Sequence, residues 1–547
     1  HYRVADVLPL TPLQQGLLYH ASIAQGSGDD VYAVQLDLAL SGPLDQHRLR
    51  DAVQAVVNRH PQLVARFCPQ FDQPVQVIPA DPVAPWRYVD LDAGDTDEPI
   101  EQICAAERAA VCDLLVQPAF RVVLIRTAPD RHRFVLTNHH IVLDGWSMPI
   151  LMHEIFAGYH QQRLPAASPY RSFMTWLAQR DRVAAHAAWR EVFTDFDSPI
   201  LVGPPHKLGL RRRSVESFRL SAKTTRALTK LARSQHTTVN IVLQGAWALL
   251  LSSLTGKHDV AFGTVVSGRP PEVVGAESMV GLLINTVPVR AHIASAASTA
   301  DLLDQLQNAH NETLEHQHVP LSDIHRITGQ EQLFDTVFVY ENYPTDTGAA
   351  PGVDGLSITG FTSRDYYHYP LTVQAGPGTE LSLRVQFDTD VFDLDNIEAL
   401  VERFEQVLVA MTAHPTRPLS SLDLLEGTEH AGLDGWSTRV LSTPSATTAS
   451  VSNAHDTNGE YHAPATLVEQ IVAGIYAQVL ELDRVGVDES FFDLGGDSLA
   501  AMRAIAAINA ALDTRLAVPA LFEAPSVRSL SAQLDTDVDS VKDRPAT

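Results

Sequence analysis

The chain has 547 residues, with Lys plus Arg at 40 against Asp plus Glu at 65 and a net charge of −25. So acidic a balance argues against a nucleic-acid partner, whose phosphates demand a basic face, and the length suits two or three domains with large cores. Three cysteines (Cys68, Cys104 and Cys112) without CxxC spacing make neither a disulfide framework nor a zinc site. They fit a reducing cytoplasm. No charged-then-apolar leader and no apolar run of about 18 residues stands out, so neither a signal peptide nor a membrane span is expected. The first residue is His1 rather than Met, which reads as a fragment of a longer polypeptide.

Residues 1 to about 427 predict mixed helix and strand with no short repeat. Residues 49–60 have helical spacing, with Leu49, Val53, Val56 and Val57 on one face. Residues 121–127 and 133–138 are apolar runs around a turn signal and predict a hairpin. Segments 259–266 and 284–290 predict further strands. Such irregular alternation implies α/β layers with a mixed sheet. Residues 442–460 hold almost nothing that packs and predict a linker. As a flexible coil its ends lie about 25 Å apart on average and up to ~65 Å when fully extended. Beyond it, Thr466 and Glu469 form a capping box, followed by a stripe of Val468, Val472, Ile475 and Val479. A second helix is expected from Leu499 to about Leu512, with Met502, Ile505 and Ile508 in the core. A third is expected to open at Pro525–Ser526 and end near Leu534. Region 463–537 thus has the size of a small helical bundle.

The most informative stretch is 134–147, Phe-Val-Leu-Thr-Asn-His-His-Ile-Val-Leu-Asp-Gly-Trp-Ser. A buried strand ends at His139, His140 and Asp144. Gly145 allows a sharp turn, Ser147 is a candidate N-cap, and Pro149 sits in the first turn of the helix behind it. A neutral imidazole there can accept a proton from an attacking amine or orient it, which is acyl-transfer chemistry. Adjacent strand residues point to opposite faces, so only one histidine can face a given cleft. The same spacing disfavours a shared metal. Asp144 is better suited to brace the loop through an arginine than to act on substrate. Taken alone, such a pair is more often structural.

Its context changes that weighting. His-His-x-x-x-Asp-Gly resembles the signature of nonribosomal peptide synthetase condensation domains, relatives of chloramphenicol acetyltransferase. Further segments are similar to that family's motifs and stand in its order: Leu10-Thr-Pro-Leu-Gln-Gln-Gly-Leu-Leu-Tyr-His20, Pro169-Tyr-Arg-Ser-Phe-Met-Thr-Trp176, Gly281-Leu-Leu-Ile-Asn-Thr-Val-Pro-Val-Arg290, His316-Gln-His-Val-Pro-Leu321 and Phe334-Asp-Thr-Val-Phe-Val-Tyr-Glu-Asn-Tyr-Pro344. The resemblance covers 1–427 and implies a pseudo-dimer of two acetyltransferase-like α/β lobes, about 1–175 and 176–427, with a substrate tunnel between them. It implies that His140 faces the reaction centre, with His139 beside it. Gly145 gives backbone room near the thioester, and Asp144 pairs with Arg290, with Trp146 and Ser147 as further support. The intact pair separates this chain from cyclising relatives, which carry aspartates there, and from degraded recruitment-only relatives. Asn138 in place of a third histidine separates it from the lactam-forming variant. Gln14-Gln15-Gly16 and Glu341-Asn342-Tyr343-Pro344 lean toward a donor ending in a D-residue. A second Leu-Asp-Gly-Trp-Ser at 433–437 lacks the histidines and reads as a chance match or a structural turn.

Residues 491–502, Phe-Phe-Asp-Leu-Gly-Gly-Asp-Ser-Leu-Ala-Ala-Met, place Ser498 at a helix start. A serine there is commonly a plain N-cap. A helix N-terminus also favours a phosphodiester. Leu-Gly-Gly-Asp-Ser-Leu, with the preceding Val485-Gly-Val-Asp-Glu-Ser-Phe-Phe-Asp, resembles the peptidyl carrier signature. It implies 4'-phosphopantetheine on Ser498 in an all-α four-helix carrier domain at 463–537, after a linker at 428–462 and before a tail at 538–547. Asp497, where His is more usual, hints at an epimerisation domain downstream. The resemblance implies an upstream donor carrier, an adenylation domain in cis (removed) or in trans, a phosphopantetheinyl transferase and a downstream epimerisation or condensation domain as partners. It implies neither nucleic acid nor membrane, and a cytoplasmic setting. The expected activity is peptide-bond formation onto an acceptor tethered at Ser498. The rivals are a non-catalytic docking platform for tailoring enzymes and a variant acyltransferase that epimerises or forms esters.

Overall fold

The computed structural model describes all residues except 1–2, 25–30, 72, 92–96, 197–198, 204–211, 331, 342–354, 422–461, 481, 492–493, 495–497, 513, 515, 517–519, 522–523 and 543–547. The first lobe holds strands β1 (Val4–Pro9), β2 (Ala33–Ser41), β3 (Arg66–Cys68), β4 (Val75–Pro79), β5 (Trp86–Asp90), β6 (Phe120–Ala128) and β7 (Arg131–His139). Its helices are α1 (Pro12–Ala24), α2 (Gln46–Arg59), α3 (Asp97–Val111), α4 (Ser147–Tyr159) and α5 (Tyr170–Ala178). The second lobe holds α6 (Arg182–Val192), β8 (Arg213–Arg219), α7 (Ala222–Ser234), α8 (Val239–Thr255), β9 (Asp259–Val266), β10 (Asn285–His292), α9 (Thr299–Thr313), α10 (Leu321–Thr328), β11 (Thr336–Tyr340), β12 (Ser357–Arg364), β13 (Leu371–Gly376), β14 (Ser382–Asp388) and α11 (Leu394–Ala413).

Period-two alternation builds the first lobe. The predicted hairpin is the antiparallel pair β6–β7, in register at Leu124↔Phe134. Val122, Leu124, Phe134 and Leu136 face a core that takes in Leu49, Val53, Val56 and Val57 of α2. Val123, Ile125 and Val135 face the other way, onto Ile100 and Cys104 of α3. Both sheet faces are therefore covered, which explains why these strands read as unbroken apolar runs. Helix α2 starts where Asp45 accepts hydrogen bonds from the backbone N–H of His47 and Arg48, at 2.9 and 3.2 Å.

The second lobe repeats the plan. Its six strands run in the order β10-β9-β11-β13-β14-β8. The β9–β11 and β11–β13 pairs are parallel and the others antiparallel. Phe262 and Phe338 face the buried helix α8, while Ala261, Val337 and Val339 face Trp189 of α6 and Ile324 of α10. One strand breaks the linear division of the lobes at about 175/176. Strand β12 leaves the second lobe and becomes the edge of the first lobe's sheet, in the order β12-β2-β7-β6-β5.

The C-terminal region is helical, with α12 (Leu467–Leu480), α13 (Ser498–Leu512) and α14 (Val527–Lys542). The predicted capping box is present. Thr466 Oγ1 accepts from Glu469 N–H at 3.1 Å, and Glu469 Oε2 accepts from Thr466 N–H at 3.0 Å. Val472, Tyr476, Ile505 and Ile508 are buried, with the Tyr476 ring 4.7 Å from that of Phe491. Helix α14 runs past the expected end near Leu534, because no Gly or Pro interrupts the sequence before Pro545. The predicted linker and the second Leu-Asp-Gly-Trp-Ser fall outside the described residues. Among the described residues no single helix is long and apolar enough to cross a membrane.

Candidate active site

Strand β7 ends at His139, and the chain turns through a single 3-10 turn at His140–Val142 before entering α4. The two histidines separate as the strand geometry requires. His139 is fully buried, and its Nδ1 accepts from the N–H of Ile141 at 3.1 Å, capping the turn. His140 donates its backbone N–H to the carbonyl of Tyr32 at 2.9 Å. Its ring meets that of Tyr32 edge-on at 6.4 Å. Its Nδ1 is buried with no hydrogen-bond partner among the described residues. The turn is held from behind by Gln14 of α1, whose Nε2 donates to Ile141 O at 2.9 Å.

Asp144 is a hub of hydrogen bonds. Its Oδ1 accepts from Ser147 N–H at 2.8 Å and from Ser147 Oγ at 2.7 Å. Its Oδ2 accepts from Leu283 N–H at 2.9 Å. The arginine that meets it is Arg269, at 3.1 Å, with side-chain exposures of 2% for Arg269 and 0% for Asp144. Arg269 also donates to the carbonyls of Ala276 and Met279, at 2.6 and 2.8 Å. Burial pulls its pKa below the ordinary arginine value, and Asp144 opposes that.

The expected pairing of Asp144 with Arg290 is therefore corrected. Arg290 binds Asp259 through Nε and Nη2 at 2.9 and 2.7 Å and donates to the carbonyls of Val192 and Thr194. The reason is reach. Asp144 contacts the backbone at Leu283, and Arg290 lies seven residues further along the chain, mostly within β10, which is about 23 Å of extended chain.

Ser147 is likewise not the N-cap. It is the first residue of α4, after Trp146, and the Asp144 carboxylate takes the capping bond. The Ser147 hydroxyl gives its proton to Asp144 and accepts from Gly281 N–H at 3.1 Å. Trp146 donates from Nε1 to Glu277 O at 2.9 Å. Gly145 is exposed in the turn without positive φ.

Sequence reasoning missed Arg269. The available signal was Ser267-Gly-Arg-Pro-Pro271, a loop whose glycine takes φ +59° immediately before the arginine. A Cβ on Gly268 would stand 1.7 Å from Leu283 O, so only glycine allows this loop to lie against the segment that Asp144 holds. A Cβ on Gly281 would stand 2.7 Å from the ring of Tyr170, whose hydroxyl donates to Leu282 O at 2.9 Å. Ser498 is the first residue of α13, and that helix packs against α1. Among the described residues no group of three or more His, Cys, Asp or Glu side chains could hold a metal ion.

Residues 4–440 match the Condensation domain family, and residues 470–534 match the Phosphopantetheine attachment site family. The chain belongs to the condensation-domain family. Condensation domains of nonribosomal peptide synthetases are amide-bond-forming acyltransferases, and here one is followed by a carrier domain of the kind that bears 4'-phosphopantetheine. Among the similar curated proteins is chondramide synthase cmdD of Chondromyces crocatus, 33% identical over 480 residues, which are 79% of this chain and 12% of that protein. Bacitracin synthase 3 of Bacillus licheniformis is 31% identical over 446 residues, 79% of this chain and 7% of that protein. Vanchrobactin synthetase VabF of Vibrio anguillarum is 32% identical over 436 residues, 78% of this chain and 15% of that protein. The chain thus spans a small part of each.

Among solved structures, the first condensation domain of the calcium-dependent antibiotic synthetase, in complex with a substrate analogue, superposes with a TM-score of 0.61 at 21% identity, covering 78% of this chain and all of that one. The X-domain in complex with OxyB from teicoplanin biosynthesis gives 0.64 at 19% identity, covering 77% and 97%. A condensation domain and an X-domain share this fold, so the fold alone does not assign the chemistry and the residues at the site must.

Proposed function

We propose that this condensation domain transfers an aminoacyl or peptidyl group from a thioester on an upstream carrier to the amine of an aminoacyl acceptor tethered at Ser498. The observation that carries the reading is the placement of His140 on a tight turn fixed by the buried Asp144–Arg269 pair. In the reaction the amine nitrogen bonds to the donor's carbonyl carbon, the carbon–sulfur bond breaks, and one proton passes from nitrogen to the departing sulfur. His140 orients that amine and takes part in the proton transfer, while the rigid turn supplies positioning. Gly145 leaves room for the thioester at the exposed side of the turn.

Ser498 fits the attachment of phosphopantetheine. It opens a 15-residue helix whose N-terminus favours a phosphodiester. When bound, that group supplies the thiol on which the acceptor is held. Helix α1 supports the acceptor assignment, since it contacts both the His140 turn and α13. The partners that follow are an upstream donor carrier, an adenylation domain and a phosphopantetheinyl transferase, in a cytoplasmic setting.

The test is a carrier-loading assay followed by transfer. Ser498→Ala should abolish the gain of the phosphopantetheine mass, and His140→Ala should load normally yet transfer slowly. Unchanged transfer by His140→Ala would favour a docking platform instead.

A further inference from the structure

Tyr32 is connected to the site in two directions. Its carbonyl accepts the backbone N–H of His140 at 2.9 Å. Its hydroxyl is hydrogen-bonded to Nδ1 of His368. His368 belongs to the other lobe. It lies on the crossover 365–370, where the chain leaves edge strand β12 and returns to begin β13 in the six-stranded sheet. Pairing of β12 with β2 ends at Arg364↔Gln35, yet four residues later the crossover meets Tyr32, just before β2.

The crossover is anchored on its own side. Arg213, at the start of β8, donates Nη2 to His368 O at 2.6 Å and Nη1 to Tyr369 O. His20 of α1 covers the His368 ring at 4.2 Å, and the Tyr369 ring lies 3.9 Å away on its own chain. Burial, with the nearby His20 and Arg213, holds the His368 pKa well below the ordinary histidine value. The imidazole is therefore neutral around pH 7.

We propose that Tyr32 and His368, with His20 packed over them, form an inter-lobe clasp that positions His140. The second lobe thereby sets the height of the His140 turn through two hydrogen bonds, one through the side chain of Tyr32 and one through its backbone. Neither residue touches the reacting atoms; both are positioning residues. The inference rests on the reading of His140 given above.

The test compares Tyr32→Phe, His368→Phe, the double variant and His368→Asn in the full chain. Tyr32→Phe keeps the ring and its packing and removes only the hydroxyl. It should lower kcat about tenfold, with KM for the donor carrier and Tm nearly unchanged. His368→Phe should match it, the double variant should be no worse than either single, and His368→Asn, which restores a polar atom near the Nδ1 position, should recover most of the loss. Hydrogen exchange across 139–142 should quicken in Tyr32→Phe, a readout that stands apart from the reaction. Unchanged exchange in Tyr32→Phe, or additive losses of kcat in the double variant, overturns the clasp. Faster exchange together with wild-type transfer by His140→Ala would keep the clasp and overturn the reading of the reaction.

Discussion

The Arg269 guanidinium and the Asp144 carboxylate meet 3.1 Å apart inside the protein, closed off from solvent. That pair ties the loop after β9 to the turn carrying His140, so two segments more than a hundred residues apart in sequence form one rigid unit. Removing one partner of a buried pair leaves an uncompensated charge. Arg269→Ala should therefore lose about 3–5 kcal/mol of stability, read by denaturant unfolding. Asp144→Leu combined with Arg269→Met should recover part of that loss.

The two histidines should separate by phenotype. His140→Ala should slow transfer by on the order of 10²–10⁴-fold with little change in Tm. His139→Ala removes the cap on Ile141 and should lower stability by about 1 kcal/mol. Transfer kinetics and thermal melting on the same two variants check this.

Gly281→Ala drives a Cβ to 2.7 Å from the Tyr170 ring, in a segment that Asp144, Ser147 and Tyr170 all hold. The expected cost is about 1–3 kcal/mol, together with reduced transfer. Gly256→Ala, with open space around its Cβ but φ +66°, should cost about 1 kcal/mol without affecting transfer. The contrast separates site distortion from local backbone strain.

Acid should destabilise the second lobe through its buried histidines. Burial first pushes His318 and His325 down to about 4. Their unfolded values lie near 6.5, so the unfolded chain binds protons that the folded one refuses. The stability they contribute is complete above about pH 6.5 and is lost as pH falls toward about 4. The paired variant His318→Gln/His325→Leu should show a shallower fall in unfolding free energy between pH 7 and pH 4.5 than the parent chain.

Much of the site was legible because local chemistry dictates it. A period-two apolar run ending in His139-His140 could only split the pair between two faces, and Thr466 with Glu469 could only cap α12. Three features depended on tertiary contact. The arginine opposite Asp144 is 125 residues away in sequence, and nothing in spacing separates Arg269 from Arg290 until the register of β9 and β10 is known. Ser147 yields its capping role to Asp144 because the carboxylate is already held in place by Arg269 and the Leu283 amide. Strand β12 crosses between lobes, which no local pattern announces. Asp497, on which the downstream-domain leaning rested, and Asn342, Tyr343 and Pro344, which carried the donor-stereochemistry leaning together with Gln14-Gln15-Gly16 and Glu341, lie outside the described residues.

The most direct measurement is the intact mass of the chain after its Ser498 arm has been charged with an aminoacyl group and a loaded donor carrier supplied. The account predicts that this chain gains the donor's acyl mass, and that His140→Ala gains it far more slowly. Normal loading at Ser498 with no gain of acyl mass from any of several donors, or an equal gain by His140→Ala, would contradict it.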